Sequence, residues 1–190
     1  MKKLFFTFSV IAFSAVGVFA QGISGGLKAG VNFANQIYSG GGFSASADGR
    51  TGFHAGGYLN ISFSDKFGIQ PELLYSSQGS KLADVDFKTD YLTIPIMIKY
   101  NPAPIFNIHF GPQFGFLMSA KQDDDDVKEF MKGLDLGAGL GAGVDLPMGL
   151  GLSARYVFGL SNISDDDSDD VTVKNTTLQL SLTYKLFGGD

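Results

Sequence analysis

The chain has 190 residues, with 14 basic and 19 acidic side chains and a formal net charge of -5. This balance excludes a basic nucleic-acid-binding surface, and the length favours a single domain. Cysteine is absent, which excludes a disulfide scaffold, thiol catalysis, cysteine-ligated metal and a lipid anchor on cysteine. Charged residues make up only 17% of the chain, which is low for an ordinary soluble domain.

The first twenty residues have the pattern of an export signal. Lys2 and Lys3 precede an apolar stretch over residues 4–17, and residues 18–20 form a small-x-small cleavage motif that ends at Ala20. We therefore predict a cleaved signal peptide over residues 1–20 and a mature domain over residues 21–190. Loss of the two lysines gives the mature chain a net charge of -7. Export without a later apolar run long enough for a spanning helix leaves a soluble exported protein or an outer-membrane barrel.

Apolar and polar residues alternate along eight segments that follow this leader. In the last of them, apolar side chains at positions 178, 180, 182, 184 and 186 alternate with polar ones at 179, 181, 183 and 185. Strict alternation predicts half-buried β-strands, and no segment shows a convincing helical stripe. The predicted strands lie at 25–33, 52–63, 67–78, 92–100, 106–116, 134–145, 150–160 and 175–187.

The predicted connections alternate in length. Residues 64–66, 101–104 and 147–148 are short turns, whereas residues 34–51, 79–89, 118–133 and 161–175 are long. Outer-membrane barrels have short periplasmic turns and longer extracellular loops. We therefore predict an all-β fold, an eight-stranded antiparallel up-and-down transmembrane β-barrel whose first strand pairs with its last. Both termini are expected in the periplasm and the four long polar loops outside the cell.

The two faces of the strands decide between a membrane barrel and a soluble one. A soluble ligand-binding barrel turns its apolar face inward and exposes many charges on the other face. Here the apolar face carries no charge, whereas the opposite face is rich in glycine and carries few charges. A narrow lumen suits small side chains and paired charges. We therefore predict a lumen ion-pair network made of Lys28, Glu72, Lys99, Asp135, Asp145, Arg155 and Lys185.

Four segments in this order resemble the PorT-like outer-membrane β-barrel domain family. They are Gly26 to Phe33, Gly68 to Tyr75, Tyr91 to Tyr100 and Gly111 to Gly115. The resemblance runs over essentially the whole mature chain. It implies an eight-stranded barrel of the porin-like superfamily in the outer membrane of a Gram-negative bacterium, and it implies no catalytic activity.

Two acidic runs are the most prominent feature of the predicted loops. Carboxylates suit hard cations such as Ca²⁺, so the candidates for a divalent-cation site are Asp123, Asp124, Asp125, Asp126, Asp165, Asp167 and Asp169. The calcium-loop pattern fails, because Asp170 stands where a glycine is required and Thr176 where a glutamate is required. A solvated, self-repelling loop is the favoured interpretation, and no cofactor is predicted.

The remaining chemistry-bearing residues favour structure over catalysis. His54 and His109 are the only histidines, both fall on the lumen face, and the sequence singles out no serine nucleophile beside either. We therefore predict that the protein is not an enzyme. The lumen-face glycines lack the spacing of a phosphate-binding loop. We expect them either to make room for bulky side chains or to allow sharp local curvature; they are Gly137, Gly139, Gly141 and Gly143.

Two functions stay open. The first is a structural or surface-interaction barrel, closed to ions by its side chains, that serves adhesion, surface protection or partner contact through its loops. The second is a binding or transport accessory for a small hydrophobic ligand or lipid, for which the lumen face offers only Leu74, Met97 and Val157 as apolar residues. We expect a monomer in outer-membrane lipid with no nucleic-acid partner.

Overall fold

The computed structural model describes residues 22–40, 43–46, 48–82, 85–123, 125–164 and 172–188. The predicted leader, Asp124 and the acidic run over residues 165–170 lie outside these residues. The strands are β1 Ile23–Gly40, β2 Phe43–Ser46, β3 Asp48–Ser62, β4 Phe67–Leu82, β5 Val85–Ala103, β6 Phe106–Gln122, β7 Asp125–Asp126, β8 Leu134–Asp145, β9 Leu150–Gly159 and β10 Thr172–Phe187. Two single-turn 3₁₀ helices span Lys128–Phe130 and Pro147–Gly149. In the described part of the chain, no helix has the length and apolar character needed to cross a membrane.

Eight of these strands form a closed antiparallel barrel. Each pairs with its neighbour in the order β1, β3, β4, β5, β6, β8, β9, β10, and β10 then pairs with β1. The closing register runs from Gly25 opposite Phe187 to Ser39 opposite Thr172, with a shift between Gly25 and Gly26. The short strands β2 and β7 fold back on the ends of β1 and β6. The predicted eight-stranded up-and-down barrel, closed between its first and last strands, is confirmed.

The barrel is apolar outside and polar inside. In β1, Leu27 and Phe33 point outward and are 56% and 45% exposed, whereas Lys28 and Asn32 point inward and are 2% and 0% exposed. The same alternation continues around the wall. An outer face of this kind must lie against acyl chains, because a water-soluble protein would expose polar groups there. The predicted sidedness of a membrane barrel is confirmed.

The strands are longer on one side of the barrel than the sequence predicts. β1 continues to Gly40, β4 continues to Leu82 and β5 begins at Val85, so much of the predicted loops over 34–51 and 79–89 is sheet. The predicted strand ends at 33 and 78 were therefore wrong. The apolar outer residues form a belt that matches the membrane. Beyond this belt the outer face of a strand meets water, so the regular hydropathy alternation stops while the backbone hydrogen bonds between strands continue. β8 and β9 have only 12 and 10 residues, which makes the wall lower on their side.

Candidate functional site

An ion triad fills the lumen. Lys28 Nζ lies 3.0 Å from Glu72 Oε2, and Arg155 donates to both oxygens of the same carboxylate, at 3.0 Å from Nη1 and 2.6 Å from Nη2. Gln70 Nε2 donates to Glu72 Oε1 at 2.8 Å. The three charged side chains are each no more than 1% exposed. Two cations thus share one carboxylate in a site sealed from water.

The three charges meet because their strands place them at one height. Lys28, Glu72 and Arg155 each lie five residues from the start of their strand at the short-turn rim. With a rise of about 3.3 Å per residue and a tilt of about 40°, this height is roughly 12 Å above that rim. Glycine supplies the space: a Cβ on Gly139 would lie 3.2 Å from Arg155 Cδ.

The other four charges of the predicted network lie away from this triad. Lys99 Nζ is 2.9 Å from Asp145 Oδ2 at the short-turn rim, where these side chains are 14% and 45% exposed. Asp135, near the opposite end, accepts hydrogen bonds from Asn175 Nδ2 at 2.8 Å and Ser161 Oγ at 3.1 Å. Lys185 lies in β10 opposite Gly26. Strand parity places all seven charges on the lumen face, but only the register decides which of them meet.

His54 lies in a hydrogen-bonded row that crosses the barrel seam. His54 and Ser181 both stand opposite Gly30 in the sheet. His54 Nε2 lies 2.9 Å from Ser181 Oγ, and His54 Nδ1 lies 2.8 Å from Asn32 Oδ1. With the ring proton on Nδ1, His54 donates to Asn32 and accepts from the serine hydroxyl. No local sequence pattern indicates this serine, since it is 127 residues from its histidine.

The hydrogen bonds among Ser181, His54 and Asn32 resemble those of a serine–histidine–asparagine hydrolase, but the serine is not accessible to a substrate. Ser181, His54 and Asn32 are 5%, 1% and 0% exposed, whereas a nucleophile needs space for a reacting carbon. Asn32 Nδ2 also donates to Ser76 Oγ at 3.0 Å and to the Ser77 carbonyl at 2.9 Å. The row is therefore a hydrogen-bonded polar core that joins β1, β3, β4 and β10.

The second histidine also points into the lumen, three residues from the start of β6 at the short-turn rim. His109 Nδ1 lies 3.1 Å from Asn107 Oδ1, and Asn107 Nδ2 donates to Asp145 Oδ2 at 3.0 Å. A Cβ on Gly141 would lie 2.5 Å from His109 Nε2. Gly137 makes similar room for Val157, at 3.0 Å from a Cβ to Cγ1. Of the two predicted roles of these β8 glycines, making room for bulky side chains is confirmed at Gly137, Gly139 and Gly141.

The described part of the acidic runs contains no assembled cation site. Asp125 and Asp126 form β7 opposite Gln122 and Lys121, and Asp126 Oδ1 accepts a hydrogen bond from the Lys128 backbone. Within the described residues, no three histidine, cysteine, aspartate or glutamate side chains converge as metal ligands. Asp124, Asp165, Asp167 and Asp169 lie outside those residues, so the cation hypothesis stays a prediction.

Apolar residues close the loop-side mouth above the low β8–β9 wall. Tyr91, Leu117 and Ala120 are buried there, with Val127 and Met131 packed against them. Backbone hydrogen bonds hold this segment in place, from Val127 N to the Ala120 carbonyl at 3.0 Å and from Lys132 N to the Ile163 carbonyl at 2.9 Å. The sequence predicts a polar loop over residues 118–133, and its pattern does not indicate this cluster.

A cleft of about 370 Å³ lies beside this cluster, which we call the rim cleft. Its polar lining residues are Gln36, Tyr38, Gln122 and Ser164. We call the part formed by Gln36, which is 2% exposed, and Tyr38 the floor of the cleft. Its walls are the apolar side chains of Phe87, Val127, Phe130, Met131, Ile163 and Val173. These residues come from both ends of the sequence and from two predicted loops, which is why no local pattern indicated a cleft.

A closed eight-stranded barrel with an apolar outer face and a polar lumen defines an integral β-barrel membrane protein. A family model described as outer membrane protein beta-barrel domain matches residues 19–165. The chain belongs to this family, and it is a protein of the bacterial outer membrane.

Similar solved structures are also outer-membrane barrels. Neisserial surface protein A is 18% identical, with a TM-score of 0.55 over 87% of this chain and 99% of that chain. Ail, the attachment invasion locus protein of Yersinia pestis, is 16% identical, with a TM-score of 0.52 over the same shares. A structure of Ail in complex with the heparin analogue sucrose octasulfate has a TM-score of 0.51. These identities show a common fold alone. No curated protein matches the sequence significantly.

Proposed function

We propose that this protein is a closed outer-membrane barrel that acts by surface interaction through its loop side. The observation that carries this proposal is the extension of the wall beyond the apolar belt on one side. The regular series of outward apolar residues ends at Phe33 in β1, with Ile37 as a single later one, and at Tyr75 in β4, yet both strands continue for seven residues past these positions. At about 3.3 Å per residue and a tilt of about 40°, the wall extends roughly 15–20 Å past the belt. Such hairpins present a rigid surface for adhesion, surface protection or contact with a partner.

The extended side faces the exterior in this proposal, and both termini lie at the short-turn rim in the periplasm. This orientation follows the general pattern of short periplasmic turns in bacterial barrels. The lumen does not serve as a pore, because the Glu72 triad and the histidine rows occupy it. Wild-type protein in planar bilayers should therefore show no stable conductance step, and a step of porin size would contradict the closed lumen.

The charge of the loop side indicates what kind of partner it suits. Residues 34–51, 79–89, 118–133 and 161–175 together contain thirteen acidic and seven basic side chains. Like charges repel across an interface and opposite charges steer association. A cationic surface is therefore the expected partner, in contrast to the polysulfated ligand in the Ail complex.

Adhesion of cells that display the protein tests this role. Such cells should bind polylysine-coated surfaces more strongly than heparin-coated ones. The double variant Asp125→Asn and Asp126→Asn should weaken this binding, because both residues are exposed at the loop side. Asp65→Asn, in the exposed turn after β3, is the matched control and should bind like wild type. Equal binding by both variants, or preferential binding to heparin, would overturn the proposal.

We also infer the finer assignments that the motifs suggest. Four segments that resemble the PorT-like family, in the same order along the chain, support membership of that subgroup. We also propose that the protein is a monomer without cofactor or catalytic activity. The intact mass of protein purified from outer membranes tests the leader, since cleavage after Ala20 predicts a chain that begins at Gln21.

A further inference from the structure

We propose that the rim cleft binds a small uncharged amphipathic molecule, with an apolar body between the cleft walls and a neutral hydrogen-bonding group at the floor. This site goes beyond the proposed surface role and does not depend on it.

The walls of the rim cleft set the size and apolar character of the ligand. A volume of about 370 Å³ lies at the lower end of the range for small-molecule sites, which are lined mainly by apolar and aromatic side chains. Ile163 is 1% exposed and forms a fixed part of the wall, whereas Phe130 is 72% exposed. The Phe130 ring sits on the short Lys128–Phe130 helix at the edge of the cleft, where an apolar ligand would cover it.

The floor of the rim cleft sets the charge of the ligand. Gln36 is 2% exposed, and its Oε1 accepts from Tyr38 OH at 3.0 Å and from Ser80 Oγ at 2.8 Å. Gln36 Nε2 donates to Asn175 Oδ1 at 3.3 Å, so the amide is held in one orientation. The Tyr38 hydroxyl oxygen keeps a lone pair for a ligand O–H or N–H donor. Among the residues that the structure describes, those lining the cleft carry no charge, so an ionised ligand would lose hydration there without a counter-charge.

The structure below the rim cleft makes this a binding site rather than a passage. Asn175 continues the floor toward the lumen, where its Nδ2 donates to Tyr91 OH at 3.2 Å and to Asp135 Oδ2 at 2.8 Å. The Glu72 triad lies further along the same lumen. A ligand in the cleft therefore reaches the loop-side mouth and stops there.

The methionines allow a direct test in the intact barrel. The predicted mature chain has four, Met97, Met118, Met131 and Met148, and only Met131 lines the rim cleft. Protein carrying ¹³C-methyl methionine would be titrated in lipid nanodiscs with neutral N-phenyl-1-naphthylamine. The Met131 resonance should shift and saturate. Met97, 0% exposed in the lumen, and Met148, 88% exposed at the far rim, should not move. Met118, 53% exposed on the outer face of β6, reports any probe that associates with the outside of the barrel.

Two comparisons make the test specific. The anionic analogue 8-anilino-1-naphthalenesulfonate should bind at least about tenfold more weakly, because the cleft offers its charge no partner. Phe130→Ala should weaken binding of the neutral probe about tenfold. Phe63→Ala removes a ring that is 67% exposed at the opposite rim, and it should leave binding within about twofold of wild type.

Three results would overturn the ligand site. The first is a Met131 resonance that does not saturate or that shifts no more than the Met118 resonance. The second is equal affinity for the neutral and the anionic probe. The third is an equal effect of Phe130→Ala and Phe63→Ala on binding of the neutral probe. If Phe130→Ala misfolds, Val173→Asp provides the second variant, since a carboxylate in the wall should also abolish binding. None of these results affects the adhesion experiment, so failure of one proposal can be told from failure of the other.

Discussion

Glu72→Gln is the most informative single change, because it keeps the shape of the side chain and removes the only carboxylate of the triad. Lys28 and Arg155 would then remain as two buried cations that face each other without a counter-charge. Loss of one partner from a buried ion pair typically costs 3–5 kcal/mol, so we expect the free energy of unfolding to fall by about 4 kcal/mol. With a urea dependence of about 2 kcal/mol per M, the unfolding midpoint should drop by roughly 2 M.

The assay is urea unfolding in lipid vesicles, followed by the heat-modifiable gel shift of the folded barrel. Asp145→Asn is the matched control, since it makes the same chemical change in a pair whose carboxylate is 45% exposed. Exposed pairs contribute up to about 1 kcal/mol, so its midpoint should move by no more than about 0.5 M. Adding Lys28→Met to Glu72→Gln removes one stranded cation and should recover part of the loss. Equal destabilisation by the two amide variants would refute the claim that the triad is sealed from water.

Three further changes test other parts of the architecture. Gly30→Ala would press a methyl group against the Leu180 backbone carbonyl oxygen and place it 2.7 Å from His54 Cε1, and it should destabilise the folded barrel by about 1–3 kcal/mol. Gly57→Ala, where the nearest neighbouring atom is 3.5 Å away, should be tolerated in the same urea assay. Ser181→Ala leaves His54 Nε2 without its hydrogen-bond partner and should lower the free energy of unfolding by about 1–3 kcal/mol. A fluorophosphonate probe should label neither the wild type nor this variant, and labelling of Ser181 would show that the serine is a reactive nucleophile. Leu180→Arg on the lipid face should lower the free energy of unfolding in vesicles by about 2–4 kcal/mol, whereas Met148→Arg in the exposed turn should change it little. Equal destabilisation by the two variants would contradict the assignment of the outer face.

The sequence alone determined the strand order, the barrel class and the sidedness. Hydropathy alternation is a local property, so Leu27 and Lys28 fall on opposite faces whatever the rest of the chain does. An apolar face without charge is compatible with acyl chains and not with water, which selected the membrane barrel. The pairing of the first and last strands followed because an open sheet edge cannot be hydrated in lipid.

Only the tertiary structure decided which lumen residues meet and where the strands end. Glu72 joins Lys28 and Arg155 across 44 and 83 residues of chain, and Ser181 joins His54 across the seam, because barrel closure fixes the register between strands. The regular alternation is also lost above the membrane, where β1 and β5 mix polar residues with apolar ones such as Ile37 and Phe87 while their backbone hydrogen bonds continue. The rim cleft lies in that region and is built from residues far apart in the chain, so its existence depended on closure rather than on any local pattern.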